Sequence, residues 1–209
     1  MKLSFIGCGN MGGALARRLA GAGHEVMVSA RHEDKAKAKA EECGKNSKAG
    51  SVPEAVAFGD VIFLAVPYGE ISSAIKSAGD LKGKVLVDIT NALTPDFSGL
   101  AIGFTDSAAE QVARLAPVAK VVKAFNTVFA QVVANPKFAE GKPSAFVASD
   151  HADAKEKVMR LASDIGFESL DAGPLKNARL LEPLGMMNIF LGYVQGLGAD
   201  KIAFRVMRR

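Results

Sequence analysis

The sequence predicts a doubly wound α/β domain, and three observations predict it. A short apolar strand runs into a glycine-rich turn at the N-terminus, apolar runs alternate with amphipathic stretches along most of the chain, and Val61 to Val66 is apolar at every position. A strand apolar at every position belongs at the centre of a parallel sheet covered on both faces. Alternating strands and helices place that sheet between two helical layers.

Each element follows in order. Leu3, Phe5 and Ile6 form a first strand that ends in Gly7-Cys8-Gly9-Asn10-Met11-Gly12. Asn10 is expected to cap a helix carrying Met11, Ala14, Leu15, Arg18 and Leu19 at three and four spacing, stopped by Gly21-Ala22-Gly23. A second strand covers 25–30, and Glu33 and Asp34 suit the first turn of a polar helix. Pro53 opens a helix over 54–58 that hands over to the central strand; Pro67-Tyr68-Gly69-Glu70 then turns into a helix over 71–78. Strands are expected over 84–90 and 121–126 with a helix at 107–115 between them. Two more strands, 144–148 and 167–170, flank a helix over 152–165. The pattern is of a Rossmann-type, mostly parallel sheet with additional C-terminal strands and a C-terminal helix. Residues 1–135 are read as a dinucleotide-binding core, and 136–209 as an extension in the same domain that contributes acceptor pocket and dimer contacts.

The glycine turn carries the first chemical inference. Glycines there let backbone approach a pyrophosphate, whose charge sits at the positive end of the following helix. Strand, helix and strand fit within about thirty residues, as such a βαβ unit requires. An NAD site would place an acid at the end of the second strand to accept from the ribose hydroxyls. This chain has Ser29-Ala30-Arg31-His32. A guanidinium forks onto a phosphate, and Ser29 can donate to it, so NADP(H) is the expected cofactor. Ala65, Val66 and Pro67 are expected near adenine and the inner ribose, and Thr90 and Asn91 near the nicotinamide. The null role for Asn91 and Asn126, simple loop capping, stays open beside a ligand role.

Composition excludes other classes. The chain has 209 residues, 49% hydrophobic and 23% charged, which is globular, not disordered. Its net charge of +4 is scattered over helices, without an aromatic-rich basic strand, so nucleic acid is not an expected partner. Cys8 and Cys43 make no metal-ligand spacing. The longest apolar stretch, 184–197, is too short for a membrane span and is broken by Gly185, Gly192 and Gly196. A strand beginning at Lys2 leaves no room for a signal peptide, and the expected location is cytoplasmic.

Four segments carry a family resemblance: Val28-Ser29-Ala30-Arg31, Phe104 to Glu110, Lys123-Ala124-Phe125-Asn126-Thr127, and Asp171-Ala172-Gly173-Pro174-Leu175-Lys176-Asn177-Ala178-Arg179. Together they resemble the NADP-dependent coenzyme F-420 oxidoreductase family over nearly the whole chain. The reductase domain of the six-transmembrane metalloreductases resembles it too and shares Phe125-Asn126. The resemblance implies hydride transfer between NADPH and a deazaflavin or flavin, with Ser29 and Arg31 at the cofactor. The segment Phe125-Asn126-Thr127 borders the acceptor and departs from the archaeal deazaflavin enzymes. The acceptor therefore stays open among coenzyme F-420, FMN, FAD and a ferric chelate reached through a flavin.

Hydride transfer between flat rings needs position more than acid–base groups, and none is nominated as catalytic. His24 is expected in a solvated turn, His151 at a distant helix cap, and Lys123 as a strand lysine reaching solvent. The segment 180–197 is apolar around its circumference, which predicts burial against a second subunit and hence a homodimer. Met186 and Met187 are candidates to line the acceptor ring, with core packing as the alternative. Two other functions stay open: a redox-sensing NADP-binding module without turnover, and a small imine or carbonyl reductase. Strands continuing past residue 140 argue against the latter.

Overall fold

The structure, a computed structural model, describes residues 1–96 and 98–209. Eight strands, β1 (Lys2–Ile6), β2 (Glu25–Ser29), β3 (Ser47–Ala49), β4 (Val61–Leu64), β5 (Val85–Asp88), β6 (Lys120–Ala124), β7 (Ser144–Ala148) and β8 (Glu168–Asp171), form one sheet in the order β3-β2-β1-β4-β5-β6-β7-β8. All neighbours pair in parallel except β6 and β7. The order reverses between β1 and β4, and ligands of such sheets bind at that crevice, beyond the carboxyl ends of the strands. The polar three-residue edge strand β3 has no signature in the sequence pattern.

The helices are α1 (Asn10–Gly21), α2 (Glu33–Cys43), α3 (Val52–Phe58), α4 (Ile71–Ala78), α5 (Ala108–Leu115), α6 (Ala130–Ala134), α7 (Ala152–Asp164) and α8 (Ala178–Ile189), the last continuing as a π-helical turn over Phe190–Val194. Strand alternation divides the core. Leu3, Phe5, Val28, Phe63, Val87 and Val122 face α1, α6 and α7; Ile6, Ile62, Leu64, Leu86 and Val121 face α3, α4 and α5. On the first face an aromatic row crosses the sheet. Phe5 stacks on Phe63 at 4.6 Å, Phe63 meets Phe125 at 6.2 Å, and Phe125 meets Phe167 edge-on at 6.3 Å. Among the described residues, no helix is long and apolar enough to cross a membrane.

Two expectations change. Gly9, not Asn10, is the N-cap of α1, and Asn10 is the first helical residue. His24 is 9% exposed, not solvated: its Nε2 lies 3.1 Å from Asp164 and its Nδ1 3.3 Å from the N-terminal amine. In the C-terminal helix Leu180, Met187 and Val194, seven residues apart, are exposed. Gly185 and Gly192 face inward, a Cβ on the first colliding with Asn91 and on the second with Phe129.

Candidate functional site

The glycine turn is pinned between three strands. Gly7 N–H donates to Ser29 O at 3.0 Å, and Ala65 N–H donates to Ile6 O at 2.8 Å. Gly7 has φ +96°, and a Cβ on it would lie 2.3 Å from Ala65 O. A side chain is excluded there on both counts. Gly12 brings α1 down on the turn, where a Cβ would meet Gly7 O at 2.7 Å and Ala65 Cβ at 2.8 Å. The opening turn of α1 has no side-chain cap and no acidic residue, and its buried face begins only at Gly12. Its N–H groups and the positive end of its dipole are thus left without a protein anion, the arrangement that receives a phosphate.

Two cavities flank this turn. The first, about 810 Å³, lies over the ends of β1, β2 and β4. Gly7, Gly9, Ala65, Val66 and Pro67 form its floor, Arg31, Lys35 and Lys39 bring cationic side chains to its wall, and His32 adds an imidazole. Glu70 and Glu42 line it as well, each already paired: Arg31 Nη2 lies 2.7 Å from Glu70 Oε2, and Lys39 Nζ lies 2.5 Å from Glu42 Oε2. This charged cavity also holds Cys8, whose thiol is pushed up by burial, against the pull of Lys39. Ser29 does not reach it. Its side chain is fully buried and its hydroxyl donates to Phe5 O at 2.8 Å, so the strand, not the cavity, uses it.

The second cavity, about 650 Å³, lies between α1, the ends of β5 and β6, α6 and α8. Five carboxamides line it, those of Asn10, Asn91, Asn126, Gln131 and Asn188, with Met11, Ile89, Phe129 and Ile189 as apolar walls. Lys39 and Glu42 line both cavities, so the two adjoin along α2. Asn91 and Asn126 hold each other. Asn91 Nδ2 donates to Asn126 O at 2.8 Å, and Asn126 Nδ2 donates to Asn91 Oδ1 at 2.9 Å and to Leu181 O at 2.7 Å. Two backbone carbonyls accept from these amides, which fixes which end of each is nitrogen. Asn126 Oδ1 and Thr127 Oγ1 are buried without a hydrogen-bond partner among the described residues. Just before them Phe125 adopts φ +61° while 1% exposed, a costly conformation for a phenylalanine.

Several expected residues turn away from this amide cavity. Thr90 is buried, and its N–H and hydroxyl both donate to Asp88 Oδ1, at 2.9 and 2.7 Å. Thr127 is buried with its carbonyl accepting from Asn188, whereas Phe125 does line the cavity even as its ring packs in the aromatic row. Met186 is half-buried and Met187 52% exposed; the α8 residues that line the cavity are Gly185, Asn188 and Ile189.

Against known proteins, residues 2–92 match the family described as NADP oxidoreductase coenzyme F420-dependent. The F420-dependent NADP reductase of Methanothermobacter thermautotrophicus is 34% identical over 203 residues, covering 88% of this chain and 86% of that protein. The chain belongs to this family. Metalloreductase STEAP3 of Rattus norvegicus is also 34% identical, over 184 residues and 88% of this chain, but the chain spans only 36% of its length. Among solved structures, a putative F420-dependent NADP-reductase from Arthrobacter sp. FB24 superposes over 100% of both chains, with TM-score 0.87 and 31% identity.

In this member of the family, the two long motifs of the sequence meet in space. Arg179 forks onto Glu110, its Nε at 2.9 Å from Oε2 and its Nη2 at 2.7 Å from Oε1, which ties α8 to α5. Behind that pair lies the residue most misjudged from sequence. Lys123 is fully buried, and its Nζ donates to Asp88 Oδ2 at 2.8 Å, Glu182 Oε1 at 2.8 Å and Thr90 O at 2.5 Å. Burial alone would lower its pKa; Asp88 and Glu182 outweigh it, and the net shift is upward. Glu182 also accepts from the first N–H groups of α5, at Ala108 and Ala109, so the cluster's excess negative charge sits at a helix N-terminus. Gly185, one turn further along α8, is missed by sequence as a helix interruption. A Cβ there would lie 2.6 Å from Asn91 Oδ1 and 2.7 Å from Asn126 O. The seven-residue interval to Gly192 is the available signal: two glycines on one helical face mark close approach.

Proposed function

We propose that this protein is an NADPH-dependent reductase that passes hydride between the nicotinamide and a flat deazaflavin or flavin acceptor. The observation that carries the reading is the adjacency of a cavity rich in cationic side chains and a carboxamide-lined cavity on either side of the glycine turn. NADP(H) bound across them supplies the hydride chemistry itself. The protein's share is position, exclusion of water and fixed dipoles.

Backbone N–H groups of Gly9, Asn10, Met11 and Gly12, at the uncapped start of α1, hold the pyrophosphate. Arg31 and His32 take the phosphate on the adenosine ribose, and Ala65, Val66 and Pro67 flank the adenosine. Asn91 and Asn126 border the nicotinamide, and Asn188, Ile189 and Phe129 bound the acceptor's side of the slot. His24, His32 and His151 lie outside the amide cavity, so its described lining offers no imidazole for proton transfer, in keeping with a hydride step between rings.

Coenzyme F-420 is the acceptor the family points to, with FMN, FAD and ferric chelates as the alternatives to test. Anaerobic mixing of NADPH with each of these, and with a cyclic imine, is expected to oxidise the nicotinamide fastest with F-420. Oxidation by the imine alone would overturn the reading. The exposed apolar residues of α8 and its π turn support a homodimer, and a cytoplasmic location completes the proposal. Sedimentation at micromolar concentration is expected to give twice the chain mass.

A further inference from the structure

Glu70 is out of place by charge. It lines the charged cavity at the end where Arg31 stands, and its carboxylate repels the phosphate that Arg31 attracts. It is also held there. It immediately precedes the first residue of α4, where the helix dipole favours an anion, and Ser73 Oγ donates to its carbonyl at 2.9 Å and lies 3.4 Å from its Oε2. It also pairs with Arg31, Nη2 to Oε2 at 2.7 Å.

The pair is 73% exposed on the arginine side and 44% on the glutamate side. Exposed pairs of this kind are individually weak, so a phosphate dianion can draw the guanidinium away. Once it does, the Glu70 carboxylate faces the phosphate. A ligand with a bare hydroxyl at the same position meets no such repulsion and can donate to the carboxylate instead. The other acid of the cavity, Glu42, is committed to Lys39. The penalty therefore falls only on ligands phosphorylated at that position, and it originates at one residue.

We propose that Glu70 is a specificity-determining residue: it competes with the phosphate for Arg31 and narrows the preference for a 2′-phosphorylated adenosine over one with a free 2′-hydroxyl. The inference rests on the reading of Arg31 as the residue that receives that phosphate. It assigns Glu70 a role opposite in sign to that of its partner, since removing an acid from the pocket is expected to sharpen selectivity.

The test measures binding of adenosine 2′,5′-bisphosphate and of 5′-AMP by calorimetry to the wild-type protein, Glu70→Gln and Glu70→Ala. Both probes occupy only the adenosine half, so events at the amide cavity do not enter. The expected result is a rise in the bisphosphate-to-AMP preference of about threefold to tenfold in both variants, shrinking as salt is added. Both substitutions are at an exposed side chain, and having two guards against a folding defect in either. A preference unchanged or reduced in the variants, with the wild type still favouring the bisphosphate, overturns the role of Glu70 alone. If the wild type has no preference, the phosphate reading of Arg31 fails and this inference falls with it.

Discussion

The charged cavity is built from residues of the first half of the chain, at the ends of β1, β2 and β4 and on α2 and α4, and its Arg31–Glu70 pair is exposed. The amide cavity draws one wall from α1, one from the ends of β5 and β6, and one from α8, more than fifty residues beyond β6. Of its carboxamides Asn126 and Asn188 are buried, Asn91 and Asn126 are reciprocally bonded, and an ion cluster with no solvent exposure on its lysine braces that pair from below, while Asn10 and Gln131 are exposed. The first is adaptable and the second is preorganised at the Asn91–Asn126 pair. That division matches what each must do if one binds a charged handle and the other aligns two rings, since alignment tolerates little displacement.

The contrast breaks most severely at Lys123. Lys123→Met leaves Asp88 and Glu182 buried without their shared cation, and a loss of about 3–5 kcal/mol in denaturant unfolding is expected. Neutralising the whole cluster, with Asp88→Asn and Glu182→Gln added, is expected to recover most of that loss, because no uncompensated charge then remains. A small loss for the single variant would mean that the cluster does not brace the site.

Gly185→Ala acts on the wall rather than the foundation. The added methyl must displace α8 or break the Asn91–Asn126 pair, at an expected cost of about 1–3 kcal/mol. Rapid-mixing kinetics should show hydride transfer slowed at least about tenfold while NADP+ affinity stays within about twofold, because the charged cavity is untouched. Equal losses in both would erase the distinction between the two regions. Arg31→Ala is its mirror image, expected to weaken NADPH binding about tenfold or more and NADH binding hardly at all, by titration.

The smallest effect expected is one of acidity. Bonding to Arg179, opposed by partial burial and helped by Ser107, holds the Glu110 carboxyl below its ordinary value of 4.5. A depressed carboxyl stabilises the fold above its unfolded pKa and loses that contribution as pH falls through the lower folded value. Thermal unfolding should therefore decline on the acid side of 4.5 less steeply in Glu110→Gln than in the wild type.

How much of this was legible in the sequence follows the same division. The sheet, and the convergence of the glycine turn and Arg31 on one cavity, could be read because each depends on local period or on neighbours in the chain. Ser29 was misread because strand alternation, set by the pairing of Ile6 with Ser29, turns its hydroxyl into the sheet. Lys123 was misread because one of its partners is 59 residues away, and a lone lysine in an apolar strand gives no hint of a carboxylate arriving from α8. His24 is a similar case, with Asp164 140 residues off. The amide lining was half visible: Asn91 and Asn126 stand at strand ends, but their mutual bond and the contribution of Asn188 depend on where α8 lands.

The late position of α8 has a consequence for synthesis on the ribosome. β1 to β5, with the glycine turn and Arg31, have all left the exit tunnel while the segment from Leu180 to Val194 is still being made. On the function proposed above, a half-made chain would own the grip for the cofactor's charged end but lack the wall that brings its reactive ring against a partner. Binding and chemistry would then mature separately, and unfinished chains would be spared stray reduction without any dedicated inhibitor.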